Sequence, residues 1–149
     1  MWYLSITLYR RGHVRSSRLL KALVYLFNQA VLPPEAIVGS GLVFGHFGGG
    51  VTVHPNVVMG RDVMVWHRVT LAVSGSPGSA ARLVIGDKVT IGSGAAVVTP
   101  FERDLHVGAG AVIGANAVVT KDVPPNAVMV GNPARLSHFV GDGRSKKYR

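Results

Sequence analysis

The chain has 149 residues, 48% of them hydrophobic, which suits one domain with a real core and a small appendage. It contains no cysteine, so disulfides and thiolate metal sites are excluded, and the setting expected is reducing and cytoplasmic. Nineteen glycines are too many for an ordinary helical protein, and a formal charge of +9 directs attention to nucleic acid, a membrane surface or an anionic small molecule.

From the N-terminus, Met1–Arg11 fits two structures. Trp2, Leu4, Ile6 and Leu8 alternate as in a strand, while Tyr3 and Tyr9 suit a helix equally well. From Ser17 to Val31 the residues Leu20, Leu23, Val24, Phe27, Ala30 and Val31 follow helical spacing. Ser16 or Ser17 is placed to cap this helix, and Pro33-Pro34 to end it. Lys21, Asn28 and Gln29 interrupt its apolar run, which is too short for a membrane span and lacks a signal-peptide cleavage pattern. The expectation is a helix covering the open end of the next element, with membrane contact through its basic face as a minor alternative. Charge collects at the two ends of the chain, in Arg10, Arg11, Arg15, Arg18 and Lys21, then in Arg144, Lys146, Lys147 and Arg149. Bases and aromatics do not alternate between them, so nucleic acid is not an expected partner.

From Val38 to Val119 the aliphatic residues climb in steps of six. The steps begin at Val38, Phe44, Val53, Met59, Val65 and Leu71, resume at Ile85, Ile91 and Val97, and end with Val107, Ile113 and Val119. A second apolar or small residue lies four positions on, as in Val57, Val63, Val69, Val89, Ala95, Ala111 and Ala117. Neither a helix nor a simple strand repeats at six, whereas a hexapeptide β-solenoid does, with stacked coils sharing one core. Three interruptions fall around His46-Phe47-Gly48-Gly49-Gly50, around Ser74–Ser79 and around Pro100–Arg103. Insertions at solenoid corners leave the core undisturbed and often carry function. Val123-Pro124-Pro125-Asn126 is expected to stop regular pairing, and Gly141–Arg149 to form a polar tail.

The run from Ile113-Gly114-Ala115-Asn116 through Lys121-Asp122-Val123-Pro124-Pro125 to Gly131-Asn132-Pro133-Ala134-Arg135 resembles the C-terminal signature of hexapeptide-repeat acyltransferases. Upstream, Leu32-Pro33-Pro34, Ile37–Leu42 and Gly45-His46-Phe47-Gly48-Gly49 resemble the serine acetyltransferase branch, within it the shorter polysaccharide-biosynthesis members of colanic-acid type. The resemblance covers roughly residues 14 to 138. It implies an all-β solenoid, a left-handed parallel β-helix with three hexads per coil and a short N-terminal α-helical segment. It also implies a homotrimer with active sites between subunits, and acetyl-CoA as acyl donor. The expected domains are a helical segment at 1–35, the acyltransferase solenoid at 36–138 and a polar tail at 139–149.

Acyl transfer to a hydroxyl needs a base, and histidine is suited to that at neutral pH. His46 stands beside a glycine run where backbone can approach a substrate, and it matches the family's catalytic histidine. If a coil takes about 18 residues, the three-residue insertion brings His67 onto the same corner as His46, as a second acid–base or acceptor-binding candidate. His54 reads as a solvent-facing corner. The resemblance places the CoA arm against Ser93-Gly94 and Ala115-Asn116, with Lys121 and Arg135 for its phosphates. Amides of the glycine run are candidates to stabilise an oxyanion. The histidines lack the spacing of zinc-dependent β-helix enzymes, so no metal is expected.

Two departures bear on the acceptor. Serine acetyltransferases carry an acid that orients the catalytic histidine, and its position holds Val31 here, with Glu35 and Asp62 as substitutes out of register. Their second histidine aligns near Arg82 or Ala81, and Arg82 is instead a candidate contact for an anionic acceptor or for CoA phosphate. The reading is therefore an O-acetyltransferase acting on a sugar or other small hydroxyl metabolite. Serine O-acetylation is the alternative, and a non-catalytic solenoid subunit the alternative outside enzymes.

Overall fold

The computed structural model describes residues 1–141. Of the expected tail, residues 142–149 lie outside the described part. Two helices, α1 (Trp2–Arg10) and α2 (Val14–Asn28), precede a parallel β-solenoid of four coils. The first coil comprises β1 (Ile37–Val38), β2 (Val43–Phe44) and β3 (Thr52–Val53), the second β4 (Val57–Met59), β5 (Met64–Val65) and β6 (Thr70–Ala72). The third comprises β7 (Leu83–Ile85), β8 (Thr90–Ile91) and β9 (Ala96–Val98), the fourth β10 (Leu105–Val107), β11 (Val112–Ile113) and β12 (Val118–Val119). Each strand pairs in parallel with its counterpart in the next coil, so the three strands of a coil feed three sheets. We call the turn after β1 and its counterparts the first corner, the turn after β2 the second, and the turn after β3 the third.

The hexad rule explains the core. Val53, Leu71, Val97 and Val119 stack in register, each at most 2% exposed, and the same holds on the second face for Val65, Ile91 and Ile113. Alternating side chains point in and out of each short strand, so one aliphatic residue per strand and one per corner fill the column. Thr52 pairs with Thr70, one uninterrupted coil of three hexads later. The interruptions seen in the sequence all fall at corners: the glycine run at the second, and both others at the third.

Pairing starts earlier and ends later than the hexads predict. The α2 helix stops at Asn28, not at Val31, because Gln29 turns left-handed (φ 53°) and its N–H closes onto the Tyr25 carbonyl. Val31 is then free to bridge Thr52, donating to the Val51 carbonyl at 2.8 Å and accepting from Val53 N–H at 2.9 Å. The helix also begins before Ser17, which is no cap: Ser17 is buried and its hydroxyl meets that of Ser5 at 3.1 Å, joining the two helices. At the other end Pro124-Pro125 does not stop the ladder. The prolines occupy the first corner, and beyond them β13 (Ala127–Val130) pairs with β11 before β14 (Arg135–Phe139) folds back antiparallel.

Met1–Arg11 takes the helical alternative, and α1 covers the open first coil. Trp2 and Ile6 are buried in the common core, with the Trp2 indole N–H on the Pro33 carbonyl at 2.9 Å. The Tyr3 hydroxyl donates to the Gly39 carbonyl at 2.7 Å and accepts from Leu42 N–H at 3.1 Å. The unpaired edge of β1–β2 is thereby partly satisfied by side chains from α1. No described helix is long and apolar enough to cross a membrane.

Candidate active site

The three-residue insertion after β2 forms a tight turn, Gly45–Gly48, in which His46 (φ 50°) and Phe47 (φ 57°) are both left-handed. That conformation is uncommon for non-glycine residues, and both side chains are exposed. The Asn28 side-chain amide holds the turn by donating to the Phe47 carbonyl at 2.8 Å, and Gly50 N–H returns a bond to the Asn28 carbonyl at 2.9 Å. The end of α2 and the insertion therefore brace each other.

Register decides what lies beside His46. Phe44 pairs with Val65, Val65 with Ile91 and Ile91 with Ile113, so two residues further on His46, His67, Ser93 and Ala115 line up along the second corner. The His46 and His67 rings meet edge to face, 4.9 Å between centroids, and His46 also packs on Trp66 at 5.5 Å. His67 Nδ1 is buried and has no hydrogen-bond partner among the described residues. Beside the pair opens a cleft of about 380 Å³ lined by Asn28, Gln29, Gly49, Gly50 and Arg68 in addition to both histidines.

Along the corner the coils touch backbone to backbone. A Cβ on Gly92 would sit 2.6 Å from Ala115 N, and one on Gly94 (φ 69°) would run into Asn116 Oδ1. Gly94 N–H donates to the His67 carbonyl and Asn116 N–H to the Ser93 carbonyl, at 3.0 and 2.9 Å. The predicted Ser93-Gly94 and Ala115-Asn116 steps thus continue directly from the histidines as a track of small side chains. An extended polar chain fits against such a surface.

No protein-family model matches the chain. The serine acetyltransferase of Mycobacterium tuberculosis is 36% identical over 129 residues, 87% of this chain and 54% of that protein. The structure of serine acetyltransferase from Brucella abortus strain S19 in complex with coenzyme A matches with a TM-score of 0.85 at 30% identity, over 94% of this chain and 54% of that one. The chain belongs to the serine acetyltransferase branch of the hexapeptide-repeat acyltransferase superfamily. Soybean serine acetyltransferase complexed with serine matches with a TM-score of 0.79 at 36% identity, over 89% of this chain and 52% of that one. The chain spans about half the length of the curated relatives it matches.

Against the pattern of this branch, the remaining predicted residues scatter. Val31 offers no acid, and neither proposed substitute lines the His46 cleft. Glu35 borders a separate hollow with Arg82 and Asn56, and Asp62 sits on the first corner against Gly41. Arg82 and Lys121 lie on the third corner, so one chain alone does not bring them to His46. Arg135 opens β14 opposite Val130, and Val130 packs against Gly114, so it stands near the far end of the second-corner track. The glycine-run amides do not serve as free donors: Gly49, Gly50 and Val51 N–H already donate to His46, Asn28 and Gly48 carbonyls. His54 is half-buried rather than solvent-facing, its Nδ1 accepting from Asn56 N–H at 3.1 Å beneath the 73–82 loop.

Asn28, Gln29 and Arg68 were not singled out from the sequence. Arg68 carries one legible signal, its place directly after His67. Asn28 and Gln29 carry only their polarity at the end of an apolar helix.

Proposed function

We propose that this chain moves an acetyl group from acetyl-CoA to the hydroxyl of a small acceptor. The observation that carries the reading is the second-corner line: an exposed histidine, a second histidine at 4.9 Å, then a track of small side chains on close-packed backbone. Acetyl-CoA supplies a thioester carbon open to attack. In this reading His46 takes the acceptor's hydroxyl proton as the oxygen attacks, and returns it to the departing sulfur. His67 supports the His46 ring through its edge contact, and Arg68 supplies the positive charge in the cleft that the glycine amides do not. Ser93, Gly94, Ala115 and Asn116 leave room for the pantetheine arm, with Arg135 near its phosphate end.

For the acceptor, the matched relatives favour serine over the sugar suggested by a polysaccharide-type resemblance. A different small hydroxyl stays as the second reading because of two specific residues. Val31 stands where the serine enzymes orient the histidine with an acid, and Arg82 near where they place a second histidine. In this reading a homotrimer completes the site, with Arg82 and Lys121 on the third corner of one copy brought to the His46 cleft of the next. Release of free CoA from acetyl-CoA, measured with L-serine and with a panel of sugars in parallel, tests the proposal. Turnover with serine supports the first reading and turnover with sugars alone the second. No release with any acceptor leaves a non-catalytic solenoid.

A further inference from the structure

We propose that the outer face of α2, with the junction between α1 and α2, docks on an anionic lipid surface. The chain has no acidic residue before Glu35, yet carries Arg10, Arg11, Arg15, Arg18 and Lys21 in that stretch. None of these five is in an ion pair among the described residues. The same helix exposes large apolar side chains that a water-facing helix would not carry: Leu19 is 63% exposed, Leu26 71% and Phe27 73%. Arg15, Leu19, Ala22 and Leu26 recur at helical spacing and share one outer side, away from buried Ser17 and Val24.

A second observation lies beside this face. A groove of about 240 Å³ runs along α2, floored by Ala22, Ala30 and Val31 and flanked by Tyr25, Arg18 and Lys21. Arg and Lys give their aliphatic stems to such a wall and hold their charges above it. Apolar below and cationic at the rim is complementary to a lipid with a phosphate headgroup, and exposed Leu and Phe with flanking cations is the pattern of helices lying in a bilayer interface. A second copy of the same face is a poorer occupant, because it sets cations against cations with no acid in the segment to meet them. Nucleic acid would match the charge and leave Leu19, Leu26 and Phe27 in water. Because α2 ends in the wall of the His46 cleft, docking in this way sets that cleft close to the lipid surface.

The test is co-sedimentation of the full chain with vesicles of phosphatidylcholine alone, and with vesicles in which about one-third is phosphatidylserine. Binding is expected to the anionic vesicles only, and to be released by salt, since screening shortens the reach of the charges. The paired variant Arg15→Gln/Arg18→Gln should lower partitioning roughly 30-fold. Leu19→Gln/Leu26→Gln should abolish it with the thermal midpoint preserved, both side chains being solvent-exposed. Equal binding to neutral vesicles, no binding to anionic ones, or unchanged binding by both variants overturns the proposal. So does a change of oligomeric state in the leucine variant, which would make this face an interface between copies.

Discussion

His46 holds a left-handed backbone, as Asp62, Arg68, Lys88 and Asn116 do at corners of later coils, and Trp66 and His67 support its ring from the next coil. A non-glycine residue in that region gives up about 1 kcal/mol, a cost that alanine shares with histidine. Replacing it with alanine removes the proposed base and little packing. His46→Ala is therefore expected to lower CoA release by roughly 10²- to 10⁴-fold while the thermal midpoint stays close to that of the parent. Full turnover in that variant would remove His46 from the mechanism and leave the family assignment intact. The pairing of His46 with His67 was legible by counting residues around the insertion. Asn28 and Gln29 were not, since they reach the cleft only through the direction in which α2 ends.

At the scale of single coils, spacing between neighbours is set by bare backbone. A Cβ on Gly86 would fall 2.7 Å from Ala109 N and 2.9 Å from Ala109 Cα. Backbone cannot swing aside as a side chain does, so Gly86→Ala should cost about 1–3 kcal/mol as overpacking does, read as a lower denaturant midpoint. One coil is also clamped to the next by Arg61 and Asp87. The Arg61 backbone N–H donates to Asp87 Oδ1 at 2.8 Å, and its guanidinium reaches Oδ2 at 2.9 Å. Those bonds, the backbone one first, hold the Asp87 carboxyl below its ordinary value. A carboxylate depressed in the folded state contributes stability above its unfolded pKa and loses it as pH falls through the folded one. The thermal midpoint should therefore decline as pH drops below about 4, and Asp87→Asn should make that decline shallower. Element boundaries were the least legible feature. Val31 reads as helix by its spacing, yet it forms an isolated bridge to Thr52 because Val51 and Val53 present a carbonyl and an N–H at the matching register.

For the whole molecule, the candidate residues divide between two corners of the solenoid, His46 on the second and Arg82 on the third. If sites form between copies, two inactive chains can complement each other. Mixing unfolded His46→Ala and Arg82→Ala chains and refolding them together should restore activity at roughly a quarter of the sites in a closed trimer, measured as CoA release. Activity no higher than that of either variant alone would place the whole site within one chain, or show that Arg82 has no part in it.

By itself the sequence determined the scaffold. A six-residue apolar period admits few folds, and its interruptions mark corners, because only there can residues be added without breaking the stacked core. Counting around the insertion also put His67 on the corner of His46, whereas Ser93 and Ala115 came from the family resemblance and only the strand register joined them to that line. The tertiary structure decided what depends on direction and on closure. It showed that α1 covers the first coil, that pairing runs from Val31 to β14, that Arg68 and the end of α2 wall the cleft, and that the glycine-run amides are already used. Those outcomes rest on which backbone groups find partners across the coil, and a periodicity read along the chain carries no record of them.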